Sequence, residues 1–102
     1  MKPDLNSNSI ITLKKGVALR FEHNFHNGTM ILIDTINDKF WLGNKESRTL
    51  IQLLHHNQTL SISEIFGTVL NEYDESDYEM ILEGLNNIIN DLYNKEFLTL
   101  CQ

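Results

Sequence analysis

Cysteine occurs once in this chain, at Cys101, so no disulfide can form within it. That fits a reducing compartment. No apolar run approaches the roughly 20 residues that a membrane-spanning helix needs. The first residues (Met1, Lys2, Pro3, Asp4, Leu5, Asn6) lack the apolar stretch of a secretory signal, which leads to the expectation of a cytoplasmic protein. Glycine is scattered at positions 16, 28, 43, 67 and 84 rather than clustered, so no phosphate-cradling loop is present. No serine sits in a recognisable nucleophile elbow. Positive charge is scarce in the second half. Residues 61–102 carry Lys95 as their one basic residue and net −8, against +2 for residues 1–60. A surface of that sign repels a nucleic-acid backbone.

At 102 residues the chain is long enough for one hydrophobic core and too short for two. Residues 1–12 are polar and rich in Asn and Ser, and are expected to form a flexible N-terminal segment ahead of a domain at 13–102. Val17, Leu19 and Phe21 alternate with Ala18, Arg20 and Glu22, the period-2 signature of a half-buried strand. Asn27-Gly28 is a turn signal. The continuously apolar run at 29–34 reads as a strand covered on both faces. Asn37-Asp38 turns the chain again, and residues 39–42 return as a third strand.

From Asn44 the period becomes helical, with Asn44 suited to an N-cap and Leu50, Ile51, Leu53 and Leu54 forming an apolar face. Ser61-Ile62-Ser63-Glu64 fits a capping box, opening a second helix that buries Ile65, Phe66, Val69, Leu70 and Tyr73. Ser76-Asp77-Tyr78-Glu79 repeats the box and opens the longest helix. In it Tyr78, Ile81, Leu82, Leu85, Ile88, Ile89, Leu92 and Tyr93 recur at three- and four-residue steps. Phe97 to Leu100 follows as a packed tail. The fold class expected is α+β: a three-stranded antiparallel sheet followed by three α-helices, in a winged-helix-like order.

Those pieces, in that order, resemble the PqqD-like family, the recognition elements for ribosomally made precursor peptides. The resemblance covers roughly residues 15–100. It rests on the apolar strand ending at Asn44, the Leu50-Ile51-x-Leu53-Leu54 helix, Ser61-Ile62-Ser63-Glu64-Ile65, and the Leu92-x-x-Lys95-x-Phe97-Leu98 ending. His55-His56-Asn57 stands where relatives often carry Asp-Gly, and Glu96 where the final turn often carries Gly. The resemblance implies a stand-alone protein that binds the leader of a precursor peptide and presents it to a modifying enzyme, often a radical SAM enzyme. It would act without a cofactor and perform no chemistry itself. The leader would add as a strand to residues 39–43 and lie against the third helix. The implied peptide-binding residues are Lys39, Phe40, Trp41 and Leu42 with Tyr78, Ile81, Leu82 and Leu85.

Strand addition is physically reasonable, because a short sheet leaves an edge of unpaired N–H and C=O groups. Phe40 and Leu42 face one way and Lys39, Trp41 and Gly43 the other; which set lines the groove stays open. Trp41 is either core or groove wall. The acidic face of the third helix (Glu79, Glu83, Asp91) is either a solvated surface or an attractor of basic leader residues. His23, His26, His55 and His56 lack the spacing of a metal site, and Cys101 is an implausible fourth ligand. Neither a catalytic nor a metal residue is assigned. The alternative is a winged-helix DNA-binding regulator, although its third helix would meet phosphate with Asp77, Glu79, Glu83 and Asp91. An exposed edge also permits a homodimer.

Overall fold

The structure, a computed structural model, describes residues 5–24, 28–44, 47–56 and 60–101. His26 and Asn27 of the expected turn, and Asn57 after the first helix, lie outside these. The order is β1 (Ile10–Leu13), β2 (Val17–Glu22), β3 (Thr29–Asp34), β4 (Lys39–Asn44), α1 (Arg48–His56), α2 (Ile62–Leu70), α3 (Tyr78–Asn94) and β5 (Leu98–Cys101). The α+β class holds: β2, β3 and β4 form an antiparallel meander, followed by three helices. An unexpected two-stranded sheet joins β1 to β5.

The division expected between residues 12 and 13 falls inside β1. Ile11 is fully buried opposite Leu100, and the Lys14 N–H donates to the Phe97 carbonyl at 2.8 Å. Upstream, the carbonyls of Ser7 and Ser9 accept from Ser63 and Ile62 at the start of α2 (3.0 and 2.9 Å). Ser7 and Ser9 are held by their backbone, which composition does not register.

β2 turns Val17, Leu19 and Phe21 inward and leaves Ala18 and Arg20 exposed, as its alternation requires. β3 departs from expectation. Met30, Leu32 and Asp34 are buried, but Ile33 is exposed and Ile31 half-buried, so no described element covers its outer face. The β3–β4 turn is organised by the buried Asp34. Its carboxylate accepts the backbone N–H groups of Ile36 and Asn37 (both 3.0 Å) and the Asn37 side-chain amide (2.9 Å). These bonds, led by the Asn37 side chain, hold the Asp34 pKa below its ordinary value, with Lys14 adding to them and burial opposing.

Asn44 stays in β4 and still caps: its Oδ1 accepts the Ser47 N–H at 3.2 Å, just ahead of α1. The capping box at Ser61 and Glu64 forms in full, with reciprocal bonds of 3.2 and 3.0 Å. The box expected at Ser76 does not. A 3₁₀ turn over Glu75–Asp77 places Ser76 inside it and makes Asp77 the N-cap, in helical backbone and without a side-chain bond. At its other end α3 closes in a Schellman motif. The Phe97 N–H reaches the Leu92 carbonyl (2.9 Å) and Glu96 N–H reaches Tyr93 (3.1 Å). Glu96 there adopts φ 67°, the left-handed backbone that glycine takes without cost.

The core gathers Met30, Leu32 and Trp41 from the sheet, Leu50, Ile51 and Leu54 from α1, and Ile65 and Val69 from α2. Leu85, Ile89 and Leu92 of α3 and the flanking Ile11, Phe97 and Leu98 complete it. No helix among the described residues is long and apolar enough to cross a membrane.

Candidate functional site: an open strand edge beside the third helix

The hydrogen-bond phase of the meander determines which backbone groups are free. Thr35 N–H donates to the Gly16 carbonyl at 3.0 Å, so Gly16 and Thr35 form a bonded pair. In an antiparallel ladder bonded and non-bonded pairs alternate. Ala18 therefore bonds Ile33, and Arg20 bonds Ile31, leaving Met30, Leu32 and Asp34 to bond Gly43, Trp41 and Lys39. Phe40, Leu42 and Asn44 consequently turn their N–H and C=O groups away from β3, the Asn44 carbonyl accepting the Ser47 hydroxyl at 2.7 Å. Among the described residues no strand pairs with that side of β4. β5 pairs with β1 instead.

The side chains separate by the same alternation. Trp41 is buried, whereas Phe40 and Leu42 are 68% and 49% exposed. The inward set, Lys39, Trp41 and Gly43, is the one that faces α3. Lys39 Nζ donates to the Lys95 carbonyl and lies 5.1 Å from the Phe97 ring centroid. The Trp41 indole N–H donates to Asp91 Oδ2 at 2.8 Å. That bond, helped by Lys95 and opposed by burial, lowers the Asp91 pKa. At the far end Asn44 meets Ile81, Gly84, Leu85 and Ile88 around a notch of about 130 Å³. α3 thus runs alongside β4 in the opposite direction. The five steps from Lys39 to Asn44 span about 17 Å, and the helix from Ile81 to Lys95 about 21 Å.

Gly43 makes this corner possible. A Cβ there would fall inside van der Waals contact with Cη2 and Cζ3 of Trp41, and 2.6 Å from Ser47 Oγ. The indole therefore lies across the glycine while its N–H reaches Asp91.

Of the residues implied for peptide binding, Lys39, Trp41, Ile81 and Leu85 are brought to the side of β4 that meets α3. Phe40 and Leu42 supply the free backbone groups and an exposed apolar outer face. Tyr78, half-buried, begins α3 and lines neither cavity. Leu82 is not brought to this site. It lies on the other flank of α3, in a separate cavity of about 470 Å³ with Leu5, Phe66, Leu70 and Ile89. A step of one residue on a helix turns a side chain through about 100°, so Ile81 and Leu82 serve different surfaces. Asn44, Tyr73, Met80, Gly84 and Asp91 were missed as site residues. Gly84, inside a helical pattern, was the one available sign.

The acidic face is partly engaged: Asp91 is committed to Trp41 and Lys95, while Glu79 and Glu83 are exposed. His55 and His56 are exposed and meet edge to face at 5.2 Å. Among the described residues no group of three or more His, Cys, Asp or Glu is gathered for a metal. No family model matches the chain, and neither a curated protein nor a solved structure matches it.

Proposed function

We propose that this chain is a stand-alone peptide-recognition protein of PqqD-like, winged-helix-like type that acts in the cytoplasm. It binds the leader of a ribosomally synthesised precursor by strand addition on β4 and presents it to a modifying enzyme, a radical SAM enzyme being the expected class. It performs no chemistry itself. The observation that carries this reading is the outward N–H and C=O groups of Phe40 and Leu42, with the Asn44 N–H, beside α3 and left uncovered by β5. Backbone pairing supplies affinity there, and side chains at alternate positions supply specificity. Micromolar binding requires about −8 kcal/mol, within reach of a preformed edge with a few apolar contacts. The exposed carboxylates of α3 favour a peptide over a nucleic-acid duplex.

The test is an NMR titration with leader peptides encoded beside this protein's gene. The amide signals of Phe40 and Leu42 should shift and their hydrogen exchange should slow. Shifts confined to the cavity around Leu5, Phe66 and Leu82 would remove strand addition on β4 from consideration.

A further inference from the structure

On the flank of α3 away from β4, Leu82, Asn86 and Asn90 follow one another at four-residue steps and so share one helix face. They line the cavity of about 470 Å³ between α2, α3 and the segment at residues 5–7. Ligand-binding clefts run from about 300 to 1,000 Å³. The lining is sorted by polarity. Phe66 and Ile89 are buried and Leu5, Leu70 and Leu82 half-buried, whereas Asn6, Ser7, Ser63, Asn86 and Asn90 are exposed. An apolar floor therefore lies beneath a polar rim. Gly67 keeps the α2 side of that rim low, since no described atom lies within 4 Å of a Cβ built there. No lining residue is charged, although the exposed Glu79 and Glu83 stand on the same helix.

The fold gives Asn86 and Asn90 no work. Asparagine is a weak helix former, and both stand inside α3 away from its caps. Neither side chain bonds another described residue. Elsewhere on the rim, Asn6 Oδ1 accepts the Asn8 N–H at 2.9 Å and Ser63 Oγ meets Ser61 Oγ at 3.1 Å. The two free carboxamides are about 6 Å apart along the helix axis. Each offers an acceptor beside a donor. That pair complements the N–H and C=O which one residue of an extended chain turns to the same side. The next residue turned that way lies two positions on, at about 6.6 Å. Asn86 and Asn90 are thus in step with the main chain of an extended polypeptide.

We propose that the groove between α2 and α3 is a second polypeptide-binding site, which takes an extended, uncharged segment of a partner protein. Asn86 and Asn90 bond alternate residues of its main chain, and an apolar side chain of the segment settles on Phe66, Leu82 and Ile89. The site is independent of strand addition on β4. A charged side chain is disfavoured, because the lining offers it no counter-charge.

The test depletes a displayed library of random seven-residue peptides on the Asn86→Leu/Asn90→Leu double variant, which removes ligands of β4, and then selects on the wild-type protein. Leucine is close to asparagine in size and better suited to a helix, so thermal melts should find the double variant at least as stable as wild type. Enriched peptides should be uncharged and apolar, and should shift the side-chain NH₂ signals of Asn86 and Asn90 while leaving the Phe40 and Leu42 amides in place. Each single variant should weaken their binding about tenfold, and the control Asn87→Leu, off the lining, by no more than about twofold. N-methylation along the peptide should weaken binding most at two positions two residues apart. No enrichment after depletion, or peptides that tolerate N-methylation throughout, overturn the proposal. A wild-type dimer in sedimentation that the double variant dissolves assigns the groove to a second copy and overturns it too. So does a double variant less stable than wild type, which gives the asparagines a structural role. None of these outcomes touches strand addition, whose failure is read at Phe40 and Leu42.

Discussion

Gly43→Ala places one methyl group against the ring that ties β4 to α3, and its cost can be worked from the contacts. The new Cβ would overlap Cη2 and Cζ3 of Trp41 and crowd the buried Ser47. Overpacking of this kind costs about 1–3 kcal/mol. If the ring tilts away, the indole bond to Asp91 is lost as well. Asp91 is 44% exposed, so water replaces much of that bond and its loss adds only about 1 kcal/mol. Against this, alanine in a strand gains about 0.5–1 kcal/mol over glycine. The net expectation is a loss of about 1–3.5 kcal/mol in urea unfolding. The decisive measurement is a double-mutant cycle with Trp41→Leu, followed by far-UV circular dichroism because the one tryptophan is removed. With the ring gone, the cost of Gly43→Ala should fall by at least about 1 kcal/mol, the remainder set by Ser47 Oγ at 2.6 Å from the new Cβ. An unchanged cost in the Trp41→Leu background, within about 0.5 kcal/mol, would show that the ring is not why glycine stands there.

Glu96→Gly relieves the left-handed backbone that closes α3. Relief of about 1–2 kcal/mol, offset by the extra freedom of glycine in the unfolded chain, should leave a gain of about 0.5–1 kcal/mol in chemical denaturation; a loss would mean that the Glu96 side chain holds the turn. The carboxyls of Asp34, Glu64 and Asp91 all titrate below their ordinary values of 3.8, 4.5 and 3.8. For Glu64 the cause is the Ser61 backbone N–H, then the Ser61 hydroxyl. The unfolded chain therefore binds more protons between the ordinary and lowered values, so stability is fully present above about pH 5 and declines as pH falls through the folded values. Urea midpoints measured from pH 6 to pH 2 should fall in that window, and less steeply for Asp34→Asn.

The meander and the three helices were legible because each rests on a local pattern. The alternation of Val17, Leu19 and Phe21 and the Ser61 and Glu64 pair need no knowledge of the rest of the chain. What escaped was set by distant residues. β1 and β5 are four residues each, too short for periodicity to speak, and their pairing joins Ile10 to Cys101. The bond from Trp41 to Asp91 crosses 50 positions, so Asp91 read as part of an ordinary charged face. The apolar run of β3 read as doubly covered because a strand's sequence does not distinguish a covered face from one left apolar and bare. At the site the edge strand was legible, but the division of α3 between two flanks, separating Ile81 from Leu82, needed coordinates.

The antiparallel pairing of β1 with β5 brings the first and last strands of the domain side by side. A segment with neighbouring ends can be spliced into a surface loop of a larger host while displacing little of either partner. The neighbouring Ile10 and Cys101 therefore suit this fold to insertion as a unit.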